Sequence, residues 1–196
     1  MVIKETSSLL HWNYFIALEY DTERLSRYVE FTTNNFRTYS IEIAHLLLAA
    51  SSEVDVVARQ LCQHLNSSLN ADNIDDYRNT IRPLIPELEN SIVSLPRHGL
   101  ELIPWQNWQN DQNPNWWSDH NKVKHQRNAY FEKANLTNVL NAMAGLFLLI
   151  LYFYRDEVQG GRIEPPPVLF MPPRDLASVA PTFDGPMALF FKERKP

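Results

Sequence analysis

One cysteine in 196 residues leaves the chain without a disulfide of its own and without a cysteine cluster able to hold zinc. Cys62 sits in "ARQLCQHL", where an apolar helical stripe places it, so it reads as a small buried hydrophobe in a reducing, cytosolic protein. Glycine is also scarce, with five in the chain. There is no Gly-rich phosphate cradle, no Gly-x-Ser-x-Gly and no Rossmann fingerprint, which removes the common nucleotide-binding and hydrolase classes. An excess of positive charge is missing too: the formal net charge is -5. Any phosphate contact must therefore use a local basic patch. The N-terminal stretch "MVIKETSSLLHWNYF" lacks the apolar run of a secretory signal. The longest apolar run, Ala142 to Tyr154, has thirteen uncharged residues, against about 20 for a bilayer span. It is expected to be a buried core helix, with no membrane partner. Gly145 within it is expected to permit a close approach, at a helix crossing or a subunit contact.

What is present is apolar and aromatic: 44% hydrophobic residues, 12% of the chain aromatic, enough for one well-filled core. Phe15, Leu18, Leu25, Tyr28 and Phe31 recur at helical spacing and predict a first helix from His11 to about Asn34. Ser40 is placed to cap a second, from about Ile41 to Leu65, with Ile43, Leu47, Val54, Val57, Leu61 and Leu65 inward and Asp55 paired with Arg59 outside. A short helix follows in "IDDYRNTIRPLIPEL", limited by Pro83 and Pro86. A third long helix is expected from about Trp117 to Lys133, and a fourth, capped by Asn135, to about Glu157, where Gly160 and Gly161 close it. Eight of the thirteen prolines lie beyond that point. The predicted fold class is all-α: a bundle of four to five helices over residues 1–158, with a small extended insertion around residues 92–108. Residues 159–196 form an irregular Pro-rich tail in which "VLF" and "MALFF" pack as short strands.

The stretch richest in chemistry is "WWSDHNKVKHQRN". At about 100° per residue, Asn121, Lys124, His125 and Asn128 fall on one stripe, with His120, Lys124 and Arg127 on an adjoining one. Two imidazoles and two fixed cations on one surface can neutralise a phosphate and exchange a proton with it near neutral pH. The bland alternative is a wet helix face, where Lys, Arg, His and Asn are ordinary.

The segment "WWSDHNKVKHQRNAYFEKANLTNVLNAMAGLFLL", preceded by "YSIEIAHLLLAASSEVDVVARQLC", resembles a group of uncharacterised prokaryotic helical proteins. That group in turn is similar to the HEPN superfamily of helical nucleotide-binding domains. The resemblance covers about residues 36–154. It implies a helical bundle, often dimeric, in prokaryotic defence or toxin systems, and in many members a metal-independent ribonuclease with no cofactor. The superfamily's signature is an arginine, four to six residues, then a histidine. His125 matches the histidine; where the arginine belongs, this chain has Ser118, Asp119 and His120. The expected roles are therefore His125 and His120 as proton carriers in RNA cleavage, with Lys124, Arg127, Asn121 and Asn128 on the phosphate. The alternative is a non-catalytic helical module that dimerises or binds a protein partner.

Two other constellations are weaker. Glu42 and His45 have the spacing of half a di-iron motif, but no second copy exists, so no metal is expected. Four tryptophans between Trp105 and Trp117 are of a kind that stacks RNA bases or, more commonly, plugs a core.

Overall fold

A computed structural model describes residues 8–181 and 187–191. The remainder of the Pro-rich tail, 182–186 and 192–196, lies outside the described residues. The chain is mainly helical, and two small antiparallel sheets accompany the helices. Among the described residues there are six α-helices: α1 (Leu10–Leu25), α2 (Ile41–Leu65), α3 (Ile74–Ile81), α4 (Asn115–Tyr130), α5 (Leu136–Phe153) and α6 (Arg155–Gln159).

Helix α5 is the axis of the core. Fifteen of its residues are buried, from Leu136 to Tyr152, and α2, α1 and α4 pack around it. By length and composition it could cross a membrane, but most of it is buried inside the fold. The helix is buried on nearly every side because it is apolar on nearly every side. Helix α2 lays a single face against it, with Ile43, Leu47, Val54, Val57 and Leu61 inward. Both helices start where the sequence expects. The Ser40 side chain accepts the Ile43 N–H, and Asn135 accepts the Asn138 N–H, each satisfying one of the amides a helix start leaves over.

The first helix is shorter than its periodicity predicts. It ends at Leu25; Ser26 caps it and a turn follows, so Phe31 still reaches the core while Tyr28 stands 82% exposed. The short helix α3 is capped by Asn73, whose side chain accepts the N–H groups of both Asp75 and Asp76, and it ends before Pro83.

The extended insertion is a hairpin, β1 (Val93–Leu95) against β2 (Leu100–Leu102), turned by Gly99 in the left-handed conformation. Gly161 takes that conformation after α6; Gly160 does not. In the tail, "MALFF" forms a strand as expected, β4 (Met187–Phe191), which pairs with β3 (Ala177–Pro181). "VLF" is not a strand. It is tied to the helices instead: Val168, Leu169 and Phe170 all donate their backbone N–H to the Glu19 carboxylate, at 2.8 to 3.0 Å.

Gly145 does admit a close neighbour, though it is an indole rather than a backbone. Trp105 donates its ring N–H to the Gly145 carbonyl at 3.3 Å, and a Cβ at this position would stand 3.1 Å from the Trp116 ring and 3.4 Å from that of Trp105. Gly145→Leu should therefore destabilise the chain by about 2 to 3 kcal/mol through overpacking. Gly145→Ala should be much milder, because about 1 kcal/mol of helix propensity offsets the crowding. Urea unfolding of the two variants beside the parent measures both, and equal midpoints for Leu and parent would contradict the packing described.

Candidate functional site

The polar stretch singled out in the sequence is the second half of α4. Its first half is anchored by tryptophans. Trp116 and Trp117 are buried, and Trp116 donates to the Pro104 carbonyl at 2.9 Å. Trp105 and Trp108 pack at a tilt of 48° with 4.4 Å between centroids, and Trp105 meets Trp116 edge-on at 5.3 Å. All four rings are inside the core, so none is available to stack on a base.

The buried face of α4 continues with His120 and Val123. His120 is 4% exposed and packs 5.3 Å from the Trp117 ring. This separates the two histidines that helical spacing grouped together. His120 is turned inward, and the surface presents one imidazole, His125. Trp117, His120 and Val123 recur at threes, so the inward stripe was present in the sequence; the polarity of histidine hid it.

Lys124, His125, Arg127 and Asn128 are all exposed, and Asn121 is half-buried. They do not share one straight stripe. Gln126 has φ -143° and ψ 53°, a break inside the helix, so Arg127 and Asn128 stand on a turn set off from Lys124 and His125. The break falls where α4 leaves the core: every residue from Lys124 through Ala129 is exposed. With no apolar side chain inward over that stretch, packing does not hold the helix straight. The next anchor is Phe131, edge-on to Tyr39 at 5.3 Å, followed by Asn135, which bridges to Tyr39.

Asp119, just ahead of the exposed stretch, is engaged locally. Asp119 accepts from the Lys122 ammonium at 2.8 Å and from the Asn138 amide at 3.1 Å, and Asn138 also donates to the Lys133 carbonyl. This node ties α4 to the start of α5 and spends both Asp119 and Lys122 on structure.

Neighbouring α2 carries polar groups that sequence spacing alone did not join. Asp55 accepts from the Tyr77 hydroxyl at 2.9 Å as well as from its expected partner Arg59 at 3.4 Å. Burial pushes the Tyr77 hydroxyl up to about 12. Glu53 is turned toward α1; its carboxylate is 2.5 Å from His11 Nδ1, and Gln60 closes the other ring nitrogen at 3.1 Å. With both nitrogens engaged, His11 is a brace between α1 and α2. Cys62 is buried beside Thr80, and burial raises its thiol to about 11, so it stays protonated and inert. Glu42 and His45 stand 3.9 Å apart on the surface, and no metal-ligating cluster occurs among the described residues.

A cleft of about 550 Å³ opens elsewhere, between α1 and α2, lined by Leu18, Arg24, Tyr28, Glu42, His45 and Ala49 among others. None of the α4 residues lines it. No protein-family model, no curated protein and no solved structure matches this chain.

His120 is held neutral, its pKa lowered to about 4, first by burial and then by the positive charge of Lys124; the Trp117 carbonyl one turn back and Asp55 oppose this only in part. Its Nδ1 is buried without a well-aligned partner. In the unfolded chain the ring titrates near 6.5. The unfolded chain therefore binds more protons between those values, and stability is lost as the pH falls from about 6.5 to about 4, by up to about 3 kcal/mol. His120→Phe should remove most of that acid-sensitive component. Urea melts at about pH 7 and about pH 4.5 measure it, and an equal loss in parent and variant would contradict the assignment.

Proposed function

We propose that the chain is a HEPN-like RNA-binding protein of a prokaryotic defence or toxin system, a helical bundle that grips a sugar-phosphate backbone with the exposed end of α4. The supporting observation is that two unpaired cations lie on either side of an exposed histidine on α4. Arg24, Arg59, Arg78, Arg82, Arg97 and Lys122 each have a carboxylate within 4 Å. Lys124 and Arg127 have none among the described residues, as is also true of Arg27, Arg37, Lys133, Arg155, Arg162 and Arg174; what distinguishes this pair is that it flanks an exposed His125 at the end of one helix. In a protein of net charge -5, a local pair of cations free of carboxylates is what phosphate contact requires. Asn121 and Asn128 add side-chain amides able to bond phosphate oxygens.

Cleavage of RNA by its own 2′-hydroxyl asks for more than grip: a group to move the proton and another to stabilise the charge that builds on phosphorus. His125 has the exposure for the first. For the second, His120 faces the core, and Asp119 brings a negative charge to the place where the superfamily carries an arginine. Binding without turnover is therefore the reading adopted. The second reading, a module that dimerises or docks a protein partner, is favoured by the α1–α2 cleft, with Tyr28 exposed at its rim.

Anisotropy of a labelled single-stranded RNA across a salt series tests the first reading. Lys124→Ala and Arg127→Ala should each weaken binding and each lower the salt slope by about 0.7. His125→Ala should weaken binding less than either cation variant. Undiminished binding in the double cation variant sinks the assignment and leaves the α1–α2 cleft as the site to pursue. RNA degraded by the parent chain but spared by His125→Ala would reinstate cleavage.

A further inference from the structure

Glu19 is the most deeply buried carboxylate described, 1% exposed, and neither the RNA-binding reading nor the cleft uses it. It projects from α1 toward residues 165–171, a Pro-rich segment some 150 positions away. Its Oε1 accepts the N–H groups of Leu169 and Phe170, at 2.8 and 2.9 Å, and its Oε2 accepts that of Val168 at 3.0 Å. Two turns earlier on α1, Trp12 donates its indole N–H to the Pro165 carbonyl at 3.0 Å. The segment then exchanges two backbone bonds with Ser94 through Met171. Between these ties Leu169 and Phe170 drop into the core, Phe170 lying 6.2 Å from the Phe15 ring. The polypeptide reaches this seat by turning at Gly161, whose left-handed backbone lies against the Phe190 ring.

The seat lacks a counter-charge. Among the described residues no Lys, Arg or His lies within ion-pair distance of Glu19. The charged group facing it is another acid, Glu23, one turn along α1, itself held by Arg97 from the β1–β2 hairpin at 3.1 Å. The strap offers it only backbone N–H groups. An ionised carboxylate without a cation is costly to bury, and three amide donors offset only part of that cost.

We propose that residues 165–171 form a releasable strap, seated on α1 by Glu19 and free to lift from it while the α2–α5 core stays folded, with ionisation of Glu19 favouring release. The direction follows from proton linkage. Burial raises the Glu19 pKa above the ordinary glutamate value despite the three backbone bonds. Lifting the strap rehydrates the carboxyl and returns it toward that value. The seated state thus binds the proton more tightly, so protonation tightens the strap, and its hold weakens as pH rises through the seated pKa. Release uncovers the Trp12 and Phe15 side of α1, an apolar surface that the segment otherwise hides.

Hydrogen exchange of the full chain, corrected for intrinsic rates and followed from about pH 5 to about pH 8, tests this. The amides of Val168, Leu169, Phe170 and Met171 should exchange through an opening not shared by α5. Their protection relative to α5 should fall as Glu19 ionises. In Glu19→Gln that fall should vanish. Strap and α5 amides exchanging together at every pH would overturn the proposal, as would relative protection that does not change with pH. So would the same pH dependence in Glu19→Gln; should that variant not fold, the two observations on the parent chain decide alone.

Discussion

An 18-residue helix that is apolar on almost every side has to be enclosed, and most of the architecture answers that demand. Of the residues of α5, only Thr137, Asn141 and Phe153 escape full burial. One neighbour cannot cover such a surface. Helix α2 covers one side, α1 and α4 two more, and the tryptophans of the 104–117 segment fill the space over Gly145, where the missing side chain leaves room for two indoles. The polar end of α5 is fixed separately, by the Asn135 cap and the Asp119–Asn138–Lys122 node. That node takes an acid and a lysine out of the surface chemistry of α4, which is why the remaining cations, Lys124 and Arg127, stand out.

The helical skeleton was legible because its signals are local. Period, caps and breakers act within a few residues, and Ser40, Asn135 and Pro83 bound their helices as their chemistry dictates. The first helix was overextended because Phe31 is buried and fits the period, although it reaches the core from a turn rather than from the helix. Tyr28 was assigned inward by the same reasoning and points to solvent. Periodicity identifies a face only while the helix lasts.

The candidate site was legible only in outline. Exposure of Lys124, His125, Arg127 and Asn128 agrees with their polarity, but polarity misleads for His120, which occupies a core position between Trp117 and Val123. The break at Gln126 has no signature in residue type: neither glycine nor proline marks it, and it arises where α4 runs out of core to lie on. Glu19, His11 with Glu53, and Asp55 with Tyr77 were out of reach for another reason. Their partners lie 22 to 151 positions away, and nothing in one sequence pairs residues at such distances.

The ties from Trp12 to Pro165 and from Glu19 to Leu169 also set an order of events during synthesis. They close a ring of about 150 residues, among the most distant pairings in the chain. A nascent polypeptide leaving the ribosome presents α1 about 150 residues ahead of its covering, so the Trp12 flank waits in water while the segment between them is made. Loops that long are closed late and slowly. The interval between making α1 and finishing it is therefore the period in which a chaperone, or a neighbouring chain in the same state, meets that exposed flank.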